Sequence, residues 1–482
     1  MRLALSLACL SLLAGSAHAA PQFSANIDLS NSRDIALLED DGVPGDRTYQ
    51  IRSLNGTFPP QVFDLPDNEI VINMLGGNDV LLFDGSVLEG FFGSVFVNGG
   101  NGNDLTVIAG LSTSGSVFSD DFSGNNALLM FDSQIAGSVS VNDGAGGQCL
   151  ALIDSIVDGD VLAVSPDGKS SFGVINTSVG GALLIDNGGF GNDYLSVFNS
   201  SFGGDVFASL GNGEVTADVN DSAIAGSLSV LVEGGTLDLQ ADELGVGGSI
   251  FTFIGEGETS KELSNTVVGG IIDFDGFLGF DRTILDNVQA AEIQVDNGEG
   301  GSLLEITGFF NANRLVSTSG QGVGDEIFIN GSGFIADVDI NNGDGNSRLE
   351  VAGDVTFGNV VHAGGGGFTT VIFEGTFIQN NLISFNFGGG SDVILDGVTV
   401  AGMVDVESLD GTDIFRIFDS LFGGPVFMRT NNGDDTFTVS NSVFNGDFVI
   451  DGGFDFDIFE TSNDSTFNGL VYTPGFEFVL DF

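Results

Sequence analysis

The stretch Asp186–Ala208, DNGGFGNDYLSVFNSSFGGDVFA, reads as a single turn of a coil. A Gly-rich bend leads to Asp193, and a short alternating strand then carries Leu195 and Val197. A polar corner follows at Asn199-Ser200, then apolar Phe202, Gly204 and a second strand starting at Val206. One such unit cannot fold alone, because about five apolar side chains do not offset the backbone entropy of ordering roughly twenty residues. Its meaning lies in its copies.

The position of Val206 recurs as an aliphatic residue or Phe at Val95, Val117, Val139, Val161, Leu183, Leu228, Ile250, Ile272, Ile293, Leu315, Val338, Val360, Leu382, Val404, Val426, Phe448 and Val471. Successive gaps are 22 residues with an occasional 21 or 23, and Ile70 begins one further copy after a longer connection. A fixed period of this size is the signature of a solenoid. Eleven and nine residues before this zero position lies a second strand, as in Leu195/Val197, Leu304/Ile306 and Phe437/Val439. Four residues before it stands a lone apolar residue such as Ile135, Phe202 or Phe444. The unit is too short for a strand-helix repeat and carries no 3.6-residue pattern. The expected fold is therefore all-β: a parallel β-helix solenoid, right-handed by the usual crossover rule, of about 19 coils of 22 residues. Stacked about 4.8 Å apart, these coils would span on the order of 90 Å.

Outside the repeat, residues 1–19 read as a signal peptide: a basic start, an apolar run and Ala17-His18-Ala19 before the cut. Residues 20–67 are expected as an N-terminal cap, 68–469 as the β-helix and 470–482 as a C-terminal capping strand. The implied location is secreted or on the cell surface. Once Cys9 leaves with the signal, Cys149 is the lone thiol, most simply a small strand residue.

The net charge of −56 excludes phosphate-binding surfaces, so nucleic acid and anionic lipid are poor partners. No apolar stretch beyond the signal is long enough to be a transmembrane segment. An acidic chain is often disordered, but 42% hydrophobic content, 44 Phe and strict periodicity argue for a packed core.

Two further columns serve the bends. Seven residues before zero stand Asp132, Asp154, Asn176, Asn199, Asp221, Asn265, Asp419, Asn441 and Asp464, often followed by Ser or Thr, a composition suited to tight corners. Two residues before zero, Gly93, Gly115, Gly137 and Gly159 mark a place where Cβ is unwelcome.

The coil resembles those of right-handed parallel β-helix proteins on bacterial surfaces, and its bends resemble the calcium-binding Gly- and Asp-rich nonapeptides of secreted RTX-type β-rolls. Gly188-Gly189-Phe190-Gly191-Asn192-Asp193-Tyr194-Leu195 fits that nonapeptide, whereas Gly99–Asp104 fits only its first six positions. The resemblance implies Ca²⁺ held by aspartates of successive turns. Thirteen residues before zero, aspartates follow one another at Asp413, Asp435 and Asp457, the last of these displaced by one residue, and at Asp79 and Asp104. These five are the candidate metal ligands. Asp193 has Ser170 and Val215 as its neighbours in the column, so a continuous calcium ladder is excluded.

One residue after zero, where alternation points outward, the column holds Phe96, Phe118, Phe207, Phe251 and Phe427 among other apolar residues. This stripe is the candidate surface for self-association or for a partner protein or polysaccharide. The expected function is an extracellular or cell-surface structural or adhesive solenoid without catalytic activity. The alternative is a polysaccharide-processing enzyme, a lyase or hydrolase, using outward acids such as Asp273, Asp275, Asp296, Asp339, Asp405 and Glu407. Those acids are not clustered with cations, sugar-stacking aromatics are scarce (no Trp, three Tyr), and His362 falls at an inward position.

Overall fold

The computed structural model describes residues 24–43, 48–88, 91–320 and 324–481. The expected signal peptide, with Cys9, lies outside the described residues, as does Phe482. The chain divides into two compact units, Met1–Val164 and Ser165–Phe482. Each is a β-solenoid of stacked parallel coils.

In the first unit the zero-position residues align one above another: Ala25 on Ile70, Ile70 on Val95, Val95 on Val117, Val117 on Val139, and Val139 on Val161. The second strand of each coil stacks in the same way, from Ile35 on Val80 through Leu105 and Ala127 to Cys149. Strands Ser24–Asp28 and Ile35–Asp40 thus form a coil of their own, followed by antiparallel strands Thr48–Ser53 and Gln61–Asp64. In the second unit the register runs unbroken from Leu183 on Val206 to Phe448 on Val471. Phe478–Asp481 lies parallel on Ile458–Thr461.

A third side comes from two-residue strands such as Ser201–Phe202, Ala223–Ile224 and Val443–Phe444, which carry the lone apolar column. Alternation sends one face of every strand inward, so Leu195, Val197, Val206 and Ala208 are all buried. In parallel stacking, like sits on like, and near the C-terminus this collects phenylalanines. Phe422, Phe444 and Phe467 stack face to face at 4.9 Å, and Phe476 packs edge-on against Phe437 at 5.2 Å.

The corners are built as stacked ladders. Asp132, Asp154, Asn176, Asn199, Asp221, Glu243, Asn265, Asn287, Asp419 and Asn441 all adopt the left-handed conformation, with φ between 46° and 55°. Amides bridge neighbouring corners, with Asn199 Nδ2 donating to Asn176 Oδ1 at 2.8 Å. The hydroxyl that follows is buried and used twice: Ser200 Oγ accepts the Thr177 N–H at 3.1 Å and donates to the Phe198 carbonyl at 2.8 Å. Gly115 is required because a Cβ there would lie 2.3 Å from the Gly93 carbonyl oxygen one coil below.

Candidate functional site: a buried acid column

The side chains with unspent chemistry stand in the column that precedes each second strand. At this point the Gly-rich bend has just turned the backbone, so the column residue's N–H is often aimed along the stack. In the second unit, Asp413 N–H donates to Asp435 Oδ1 at 2.8 Å, Asp435 N–H to Asp457 Oδ1 at 2.9 Å, and Asp457 N–H to Glu477 Oε2 at 2.7 Å. The first unit repeats the arrangement from Asp34 N–H to Asp79 Oδ1 at 2.6 Å, Asp79 N–H to Asp104 Oδ1 at 2.8 Å, and Asp104 N–H to Asn126 Oδ1 at 2.9 Å. Each carboxylate thus replaces a ladder carbonyl, which is a structural use of one oxygen.

The other oxygen is left over. Oδ2 of Asp79, Asp104, Asp193, Asp281, Asp325, Asp413, Asp435 and Asp457 is buried without a hydrogen-bond partner among the described residues. Burial pushes Asp104, Asp193, Asp413 and Asp457 up to about 6 and raises Asp79, Asp281, Asp325 and Asp435 in the same direction. Where a hydroxyl neighbours the acid it also donates to Oδ1: Ser302 to Asp325, and both Ser391 and Ser408 to Asp413, each at 2.8 Å.

The five candidate metal ligands therefore sit inside the coils. Asp413, Asp435 and Asp457 come together as one stack, and Asp79 and Asp104 as another. As hard oxygen donors they suit Ca²⁺, but a dehydrated Ca²⁺ needs six or more oxygens, and these acids keep one free oxygen per coil. Among the described residues, no three acid, His or Cys side chains converge as a metal cage. Beside the first stack, Asp121 and Asp143 are also held above the ordinary range by burial, and Asp143 adds its charge to raise Asp121 further. Asp143 Oδ1 accepts from Asn126 Nδ2 at 2.9 Å.

Counting from the zero position misses three members of the column. Asp34 precedes Asp79 across the antiparallel excursion, Glu477 follows Asp457 in the last coil, and Asp281 is displaced because the coil from Ile272 to Ile293 is one residue short. Asp281 aligns with Thr259 below and Ser302 above.

The outward residues behave differently. Phe96, Phe118, Phe207, Phe251 and Phe427 are only half-exposed. Phe96 and Phe118 cover each other's faces, stacked at 4.6 Å, whereas Phe207, Phe251 and Phe427 lie between non-aromatic neighbours. The most exposed aromatics lie instead on the Gly-rich bends: Phe190 at 82%, Phe122 at 76% and Phe454 at 72%. Of the outward acids, Asp339 meets Arg314 at 3.4 Å, and Asp405 and Glu407 meet Arg429 at 2.6 and 3.6 Å. His362 is fully buried between Ser384 and Asn342 and is lowered to about 4 by burial. The half-buried Cys149 thiol is raised by burial. No helix among the described residues is long and apolar enough to cross a membrane.

No protein-family model, curated protein or solved structure matches this chain.

Proposed function

We propose that this chain is an exported structural or adhesive solenoid of the extracellular space or cell surface, of the kind its bacterial β-helix resemblance implies, without catalytic activity. The observation that supports this reading is how the recurring polar columns are used. Corner amides bond to the next corner, corner hydroxyls to the backbone, and the acids to the N–H of the neighbouring coil. The repeat spends its polar chemistry on joining coil to coil, which suits a load-bearing scaffold.

Calcium enters this reading through the free Oδ2 atoms of Asp413, Asp435 and Asp457, and of Asp79 and Asp104. Bound there, Ca²⁺ would supply the positive charge that buried carboxylates lack, in competition with protons. The half-exposed stripe of Phe96, Phe118, Phe207, Phe251 and Phe427 is the face through which self-association or a protein or polysaccharide partner would act.

The test has three arms. Expression with the native N-terminus should place the protein outside the cytoplasm, and a cytoplasmic product would end the export reading. Turnover on a panel of acidic polysaccharides would replace the scaffold with an enzyme. Melting at pH 7.5 with Ca²⁺ and with chelator should show a higher Tm with the ion, and identical curves remove calcium from the account.

A further inference from the structure

The sequence has two lysines, Lys169 and Lys261, and Lys261 lies in the core of the second unit. It occupies the inward column filled by Leu239 in the coil below and Thr283 in the coil above. Its side chain is 0% exposed and its partner Asp281 1%. Lys261 Nζ stands 3.8 Å from Asp281 Oδ1 and 5.5 Å from the ring centre of Phe274. That separation is too long for a hydrogen bond. Among the described residues neither Lys261 Nζ nor Asp281 Oδ2 has a hydrogen-bond partner. A buried ion pair is tolerable only when further hydrogen bonds satisfy both ions, and here, among the described residues, Asp281 has one at Oδ1, from Thr259, and Lys261 none.

We propose that Lys261 and Asp281 condense into an intramolecular isopeptide bond that staples two adjacent coils. The proposal does not depend on the scaffold reading. The geometry supplies each requirement of the reaction. The two groups are neighbours in the buried interior, shielded from bulk water. With Nζ 3.8 Å from Oδ1, the amine has to close on Cγ of the same carboxyl group to reach attack distance. Burial disfavours both charges, lowering Lys261 and raising Asp281, and the reaction runs from the neutral pair in which the ammonium proton has passed to the carboxylate.

The bookkeeping of atoms is simple. The Nζ lone pair attacks Asp281 Cγ while Oδ1 is held by the Thr259 hydroxyl, which donates to it. A C–N bond forms, and the bond from Cγ to Oδ2 breaks. Oδ2 leaves as water with its own proton and one from nitrogen, and no oxidant or co-reactant is consumed. Thr259 and Asp281 are aligned across strands Thr259–Ser264 and Asp281–Asp286, so the amide would tie those two strands covalently.

The decisive measurement is the intact mass of the denatured full chain, expected one water below the mass its own sequence requires. Digestion with an acid-specific protease should yield a branched peptide joining the Lys261 and Asp281 segments. Full mass overturns the proposal, and so does a lost water that maps to a cyclic succinimide at Asp275-Gly276 in an unbranched peptide. Asp281→Asn should lose ammonia in place of water, and Lys261→Arg should restore the full mass. If either variant fails to fold, the wild-type mass and its branched peptide decide alone.

Discussion

Two stretches of the acid column in the second unit make opposite use of the same position. At Val215 and Leu237 the column is apolar, and strands Val206–Asn220 and Leu228–Asp242 run straight through it, paired along nearly their full length. At Asp413, Asp435 and Asp457 the chain bends instead, and strand Val426–Arg429 stops well before Thr436–Ser440 begins. The donors differ accordingly. Leu237 N–H reaches the Glu258 carbonyl at 3.2 Å, whereas Asp413 N–H is satisfied by a carboxylate. Coils therefore stack without acids; at Asp413 and Asp435 the next acid in the stack takes the place of that carbonyl, whereas the Thr259 N–H stays on the Phe280 carbonyl and its hydroxyl meets Asp281.

The sharpest way to break this comparison is to place an acid where no donor is free. Leu237→Asp should cost about 4 kcal/mol or more, because it removes a buried apolar side chain and strands a carboxylate. Chemical denaturation would measure it. A loss near 1 kcal/mol would mean that the bend is not what admits the acids.

Next in size is the response to pH. An unfolded aspartate titrates near about 3.9. Asp413 and Asp457 titrate at about 6 when folded, and Asp435 is also raised. The folded state therefore holds extra protons between those values, so the stabilisation is complete below about pH 4 and is lost as pH rises to about 6. Asp413 alone would contribute on the order of 3 kcal/mol. Melting in the absence of divalent ions should show a higher Tm at pH 4.5 than at pH 7.5. The opposite order would mean that the free oxygens are stabilised as carboxylates.

Separating the two oxygens is a smaller effect. At pH 4, Asp435→Ala should cost about 1–2 kcal/mol, because the buried Asp413 N–H loses its acceptor. Asp435→Asn keeps that acceptor, as Asn126 does for Asp104 at 2.9 Å, and removes the charge. It should raise Tm at pH 7.5 and leave it nearly unchanged at pH 4. Equal losses for both variants would assign the effect to packing.

Much of this was legible in the sequence, and the gaps have physical causes. Period and alternation identify the coil because stacking forces every copy of Val206 onto the same inward place. Asp34, Asp281 and Glu477 escape a fixed count because an excursion, a short coil and the chain end change the connection lengths around them. Lys261 was readable as a cation standing in the Leu195 column. The free Oδ2 atoms were not readable, because composition does not reveal which way a backbone N–H points. Nor was the half-burial of Phe96 and Phe118, which comes from like side chains covering one another one coil apart.

The corner column provides the control, since its backbone is the same in both stretches although its side-chain partners differ, Asn441 donating to Asp419 while Asp221 faces Glu243. Asp221, beside the apolar stretch, and Asp419, beside the acidic one, both have φ 51°. An alanine at either place must hold a left-handed conformation, at a cost of about 1 kcal/mol, whereas glycine holds it freely. The gap between the alanine and glycine variants, in which the lost side-chain partners cancel, should therefore be the same at Asp221 and at Asp419. Urea melts of the four variants would show it. A larger gap at Asp419 than at Asp221 would mean that the acidic stretch differs from the apolar one beyond the acid column, through a corner already strained by the charges stacked inside it.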